Sequence, residues 1–154
     1  MRNNKSIEKT NILLVDDVEE NIFVLSQVLN RPEYNLVVAY SGPQALGHLL
    51  KADFALILLD VFMPEMDGYE LVSLIKQREK NKNIPIIFLT AMSKDLESFN
   101  KAFSMGVVDY IQKPLEPELV RAKVEVFAEL HRRAQKIRRL EAQINLNTEK
   151  ITKK

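Results

Sequence analysis

Five short, mostly unbroken apolar runs recur along the chain, and each is followed by a segment with helical spacing. The runs are Ile12–Val15, Leu36–Ala39, Ala55–Leu59, Ile86–Leu89 and Val107–Ile111. A strand with one wet face alternates apolar and polar residues. A continuous run instead marks a strand covered on both faces, as parallel strands are. Helix starts are legible between the runs. Asp17 with Glu20, Ser41 with Gln44 and Asp67 with Glu70 have the spacing of a capping box. Ser93 suits the cap of a fourth helix, and Pro117 the first turn of a fifth. Val18, Ile22, Leu25 and Leu29 then repeat at helical spacing in the first helix, and Leu96, Phe99 and Phe103 in the fourth. Strand and helix alternating five times predict an α/β fold around a doubly wound five-stranded parallel sheet. Right-handed crossovers leave few topologies open.

Open sheets of this kind bind ligands at the carboxyl ends of their strands. Asp16 and Asp17 follow the first run, Asp60 the third, Thr90 the fourth and Lys113–Pro114 the fifth. The second run ends without such a group, as expected of an outer strand. Any one of these residues has an ordinary structural explanation. Three carboxylates at one edge do not. At about 4 Å, each like-charged pair costs on the order of 4 kcal/mol at an effective dielectric of roughly 20. A hard divalent cation offsets that cost, and Mg²⁺ (or Mn²⁺) suits a few carboxylates with water and phosphate oxygens. Lys113 adds a further positive charge.

These segments resemble the receiver domain of two-component response regulators. The likeness covers roughly residues 10–128. It rests on Leu13-Leu14-Val15-Asp16-Asp17, Leu58-Leu59-Asp60 through Asp67-Gly68, Pro85-Ile86-Ile87-Phe88-Leu89-Thr90-Ala91 and Gly106-Val107-Val108-Asp109-Tyr110-Ile111-Gln112-Lys113-Pro114. The resemblance implies a flavodoxin-like sheet of strand order 2-1-3-4-5. It implies that Asp60 is the phosphoacceptor and that Asp16, Asp17, Asp60 and the backbone carbonyl of Phe62 hold Mg²⁺. Lys113 then contacts the phosphoryl group through a segment whose bond to Pro114 is cis. Thr90 hydrogen-bonds the phosphoryl oxygen and Tyr110 moves inward with it. Phe62 and Met92 tune how readily water attacks the acyl phosphate. The implied partners are a sensor histidine kinase or phosphotransfer protein, and an output module or downstream partner. The expected role is a switch and not an enzyme acting on a separate substrate.

Rival readings fit less well. A phosphatase of the haloacid dehalogenase type needs a second aspartate two residues after the first, where Phe62 stands. A nucleotide- or flavin-binding module needs a Gly- or Ser/Thr-rich loop after the first strand. The loop here is Asp16-Asp17-Val18-Glu19-Glu20. A purely structural dimerisation module has no use for the polar constellation. Asp109 reads as a loop or strand-end residue, and the isolated His48 and His131 as surface residues.

The 154 residues contain no cysteine, which excludes disulfides and thiolate metal sites. No apolar run is long enough to span a bilayer, and Met1–Thr10 does not read as a secretory signal, so a cytoplasmic setting is expected. Charge is uneven: residues 1–120 hold 12 Lys+Arg against 17 Asp+Glu, and residues 121–154 hold 10 against 4. The basic end reads as a solvated helix face, and nucleic-acid binding is not predicted. No Gly or Pro follows Pro117. Apolar residues continue at Val120, Val124, Phe127, Leu130, Ala134, Ile137, Leu140 and Ile144 with a break in phase. The expected organisation is a flexible segment over 1–10, the receiver over 11–128 and, over 129–154, a helical extension or linker that is either coiled-coil-like or partly disordered. A coiled-coil-like stalk there, or the faces of helices four and five, is where a homodimer would form.

Overall fold

The computed structural model describes residues 8–91 and 96–152. The strands are β1 (Thr10–Val15), β2 (Tyr34–Ala39), β3 (Leu56–Asp60), β4 (Ile86–Thr90) and β5 (Asp109–Gln112). The helices are α1 (Glu19–Val28), α2 (Gly42–Lys51), α3 (Gly68–Gln77), α4 (Leu96–Ser104) and α5 (Pro117–Thr152). All pairings are parallel, in the order β2-β1-β3-β4-β5. The expected α/β architecture and strand order are therefore observed, with β2 at an edge.

The continuous apolar runs are explained by two cores. Leu13, Val15, Ile57, Leu59, Ile86 and Phe88 face α2, α3 and α4. Their neighbours Ile12, Leu14, Leu56, Leu58, Ile87 and Leu89 face α1 and α5. Alternate residues of one strand thus fill opposite cores. Each fully buried Leu or Ile contributes roughly 1.5–3 kcal/mol.

Of the three residues placed as caps by capping-box spacing, two cap their helices. Ser41 Oγ accepts the Gln44 N–H at 3.2 Å, and Asp67 Oδ1 accepts the Glu70 N–H at 2.9 Å. The Gln44 side chain reaches back to the Tyr40 N–H and not to that of Ser41. The Asp17 cap is a correction. The cap residue of α1 is Val18, with no side-chain cap bond, and Asp16 Oδ1 accepts the Val18 N–H at 2.9 Å. The fifth strand is also shifted: Val107 and Val108 precede it, although the Val108 N–H bonds Ile86 O at 2.9 Å. Val107 is buried because it packs in the core, not because it lies in the strand. Ser93 lies outside the described residues.

Pro117 opens α5 as its spacing predicts, and the helix runs for 36 residues. Val120, Val124 and Ala128 dock it on the sheet. Beyond Ala128 no residue of the helix is fully buried. Arg139 forms an ion pair with Glu8 across the base of the domain.

Candidate functional site

The carboxyl ends of β1, β3, β4 and β5 lie side by side, because the register pairs Val15 with Leu59, Asp60 with Leu89 and Thr90 with Gln112. Asp16 directly follows β1, Asp60 and Thr90 close β3 and β4, and Lys113 directly follows β5. The Lys113 N–H donates to Thr90 O at 2.8 Å, and the Lys113–Pro114 peptide is cis.

Asp16, Asp17 and Asp60 each offer an oxygen, all within 4.8 Å of one another. Asp16 and Asp60 are buried, at 1% and 7% exposure. Asp17 is half-buried with a carboxylate oxygen in this cluster, and it stands one residue before Val18, the cap residue of α1. Lys113 Nζ stands 3.3 Å from Asp16 Oδ2 and 3.4 Å from Asp60 Oδ2. The Phe62 N–H donates to Asp60 Oδ1 at 3.2 Å. Burial raises the pKa of Asp60 above the usual carboxylate range, and the Asp16 charge adds to this. The Lys113 ammonium and the Phe62 N–H pull the other way. A buried carboxylate is thus held beside another by one cation and one backbone donor. The set is all oxygen, with no imidazole or thiolate among the three, which is the chemistry of a hard cation site.

A second group lies beside the first. Thr90 and Tyr110 line one mostly apolar cavity with Phe88, Phe99, Ala102 and Phe103. The Tyr110 ring stacks on Phe99 at 4.0 Å between centroids, with 13° between planes. Phe103 lies tilted against the same ring. Helical spacing in the sequence assigns Phe99 and Phe103 to the apolar face of a helix and does not bring them to Tyr110. Two aromatics four apart, followed by a tyrosine at the next strand, were the available signal. Phe62 is exposed at the rim, at 55%. Met92 lies outside the described residues.

Asp109 opens β5, where its carboxylate accepts its neighbour's Tyr110 N–H and pairs with Lys123 at 2.6 Å. His48 and His131 are half-buried and stand apart from the site. His48 Nε2 lies 3.0 Å from Val38 O.

Residues 12–125 match the family described as the response regulator receiver domain. The chain belongs to that family. It is a receiver domain of two-component signalling. The Vibrio cholerae protein named "Probable cyclic di-GMP phosphodiesterase" is 39% identical over 120 residues, covering 78% of this chain and 27% of that protein. The Salmonella typhimurium transcriptional regulatory protein ZraR is 38% identical over 117 residues, covering 76% of this chain and 26% of its own length. The match thus spans about a quarter of these relatives. The structure of the Vibrio cholerae chemotaxis protein CheY4 superposes with a TM-score of 0.72 at 28% identity, covering 77% of this chain and 98% of CheY4. Among the described residues no helix is long and apolar enough to cross a membrane.

Proposed function

We propose that Asp60 accepts a phosphoryl group from a sensor histidine kinase or phosphotransfer protein in the cytoplasm, in a Mg²⁺-dependent reaction. The receiver over 11–128 then switches conformation and controls an output module or partner, with residues 129–154 as the connecting extension. One observation carries the reading: the Lys113 ammonium bridges Asp16 and Asp60 within a cluster of three carboxylates at the strand ends. Asp16, Asp17, Asp60 and the Phe62 carbonyl would hold Mg²⁺ (or Mn²⁺). Once bound, the ion supplies positive charge against the carboxylates and the transferring oxygens.

The chain's own residues supply positioning. The Asp60 carboxylate attacks phosphorus, the P–N bond of the donor phosphohistidine breaks, and the freed imidazole takes its proton from water. Lys113 and the Phe62 N–H favour the ionised Asp60 that this attack requires. The product carries about one more negative charge and new acceptor oxygens. Charge-assisted bonds from Lys113 and the Thr90 hydroxyl contribute roughly 1.5–3 kcal/mol each. Their joint effect is comparable to the roughly 5.5 kcal/mol that moves a two-state element from about 1:99 to 99:1. Thr90 shares its cavity with Tyr110, and Tyr110 stacks on α4. A pull on Thr90 therefore opens space for the Tyr110 ring and releases Phe99.

Acetyl phosphate with Mg²⁺ is expected to add the mass of one phosphoryl group, mapped by peptide mass spectrometry to Asp60. EDTA is expected to prevent the addition. Modification elsewhere, or none from any small phosphodonor, would overturn the reading.

Phe62 and Met92 are proposed to shield the acyl phosphate. Phe62→Asn is expected to shorten its lifetime several-fold, because an amide at the rim can orient a water that a phenyl ring excludes. An unchanged decay rate of the purified phosphoprotein would remove Phe62 from this role.

A further inference from the structure

The edge of the sheet opposite Asp60 carries a second polar cleft. Parallel strands gather their first residues at one edge as they gather their last at the other. The connection from α2 to β3 brings Asp53 to this edge, and the connection from α3 to β4 brings Lys80 and Asn83. The remaining wall is α5 beyond its docked segment, through His131, Gln135 and Arg138. The cleft measures about 390 Å³, and sites for small molecules begin at roughly 300 Å³. A further cleft shares Gln135 and Arg138 and adds Arg139. Arg138 thus stands between the two.

The charges of this cleft are unbalanced. Lys80 and Arg138 line it as cations, and Asp53 is the one carboxylate of the lining. Lys80 Nζ stands 3.7 Å from Asp53 Oδ1, with the two side chains 53% and 81% exposed. So open a pair is worth little and exchanges partners at little cost. Arg138 has no acid partner among the described residues. Its neighbours do: Arg132 and Arg133 share Glu129, and Arg139 takes Glu8. His131 is half-buried in the same wall. Arg138 faces it from its own helix, Asp53 from the connection before β3, and Glu8 from the chain before β1. Burial first, and the Arg138 charge second, push the imidazole pKa down. An anion entering beside Arg138 and His131 reverses the second effect.

We propose that this cleft binds a phosphorylated small molecule, held by its phosphate oxygens between Lys80 and Arg138. A guanidinium offers phosphate two parallel donors, and an ammonium offers a point charge. The side-chain amides of Asn83 and Gln135 supply neutral donors for the oxygens that remain. Phe54 lies in the lining but is 3% exposed, so no phenyl face is free for a base to stack on. Recognition therefore falls on the phosphate. A diphosphate fits better than a single phosphate, because the two cations come from separate walls of a cleft larger than one such ion. Bound there, the ligand ties α5 beyond Ala128 to the base of the receiver. It acts at the far end of the sheet from Asp60 and does not depend on the reaction there.

The test is calorimetric titration of the full chain with pyrophosphate at low salt, without Mg²⁺ or phosphodonor. Saturable binding is expected. Asp60→Asn is expected to bind equally, which separates this cleft from the phosphoacceptor. Arg138→Gln and Lys80→Gln are each expected to weaken binding by roughly tenfold or more. Asp53→Asn is expected to strengthen it several-fold, since it frees Lys80 and removes the competing charge. All three side chains are exposed, so these variants keep the fold, as circular dichroism checks. Lys136→Gln lies on the same helix outside both clefts and is expected to change nothing. Sulfate stays a dianion from weakly acid to neutral pH. It is expected to bind more tightly at the acid end, where His131 takes up a proton, and His131→Gln is expected to abolish that dependence. Hydrogen exchange over residues 131–142 is expected to slow when pyrophosphate is bound. ADP binding more tightly than pyrophosphate would make the ligand a nucleotide, and the reverse a simpler diphosphate. Absence of binding by both, citrate binding as tightly as pyrophosphate, or equal losses in Lys136→Gln and Arg138→Gln overturns the proposal.

Discussion

Asp60→Asn is expected to take up no phosphoryl group and yet to melt higher than the wild type in metal-free buffer. The first effect is all-or-none, since an amide nitrogen or carbonyl cannot replace the attacking carboxylate. The second follows from burial. The Asp60 carboxylate is 7% exposed and lies beside buried Asp16. Its pKa is raised, first by desolvation and then by the Asp16 charge. A carboxyl that binds its proton more tightly when folded weakens the fold above its folded-state pKa. That cost fades as pH falls through the folded-state value, and it is gone below the unfolded value of about 3.9. The variant removes it while keeping an oxygen for the Phe62 N–H, and Lys113 retains Asp16 as partner. A gain on the order of 1 kcal/mol at neutral pH is expected, or about 2–4 °C for a chain of this size. The gain should shrink steadily in melts at lower pH. Added Mg²⁺ should raise the wild-type melting point more than that of the variant. A variant that melts lower than wild type at neutral pH would refute the account of Asp60 as a strained, metal-ready carboxylate.

The sheet could be read in the sequence because burial on both faces removes polar residues from β1, β3 and β4, whose described residues are nearly all buried. The site could be read because parallel strands deliver their last residues to one edge, so Asp16, Asp60, Thr90 and Lys113 had to converge once the strands were placed. Local details were less legible. Asp16 and Asp17 are the same residue type in adjacent positions, and either could serve the helix or the cluster. Only the fold shows that Asp16 also holds the Val18 N–H while Asp17 turns inward. Val107 and Val108 look like strand because core packing and strand pairing select the same residue types. The Phe99–Tyr110 stack joins a helix to a strand across a connection that short-range spacing does not describe. α5 was hardest, because its buried Val120, Val124 and Ala128 and its exposed Leu130, Ile137, Leu140 and Ile144 share no single period.

Gly68→Val is expected to cost about 1–3 kcal/mol, as overpacked substitutions do, and to slow phosphoryl uptake at Asp60 without touching any charged group. The reason is the approach of α3 to the strand that carries Asp60. A Cβ on Gly68 would stand 2.9 Å from Val61 Cα, 3.1 Å from Asp60 O and 3.3 Å from Val61 O. All three are backbone atoms, so no side chain can swing aside. The Gly68 N–H also donates to Val61 O at 2.8 Å, which pins the helix start to this loop. Asp67 caps the same helix through the Glu70 N–H. Relief of the clash must therefore move either the start of α3 or the backbone of Asp60 and Val61. Movement of Val61 shifts Phe62, whose N–H holds Asp60 Oδ1. Chemical denaturation measures the stability cost, and the initial rate of acetyl phosphate uptake measures displacement of the carboxylate. The matching control is Gly47→Val, where a Cβ meets nothing within 4 Å. It is expected to leave the uptake rate unchanged. Equal loss of uptake in the two variants would show that general destabilisation, and not the seat beneath Asp60, sets the rate. A slow Gly68→Val with a normal Gly47→Val would show that a glycine with no reactive atom positions the nucleophile.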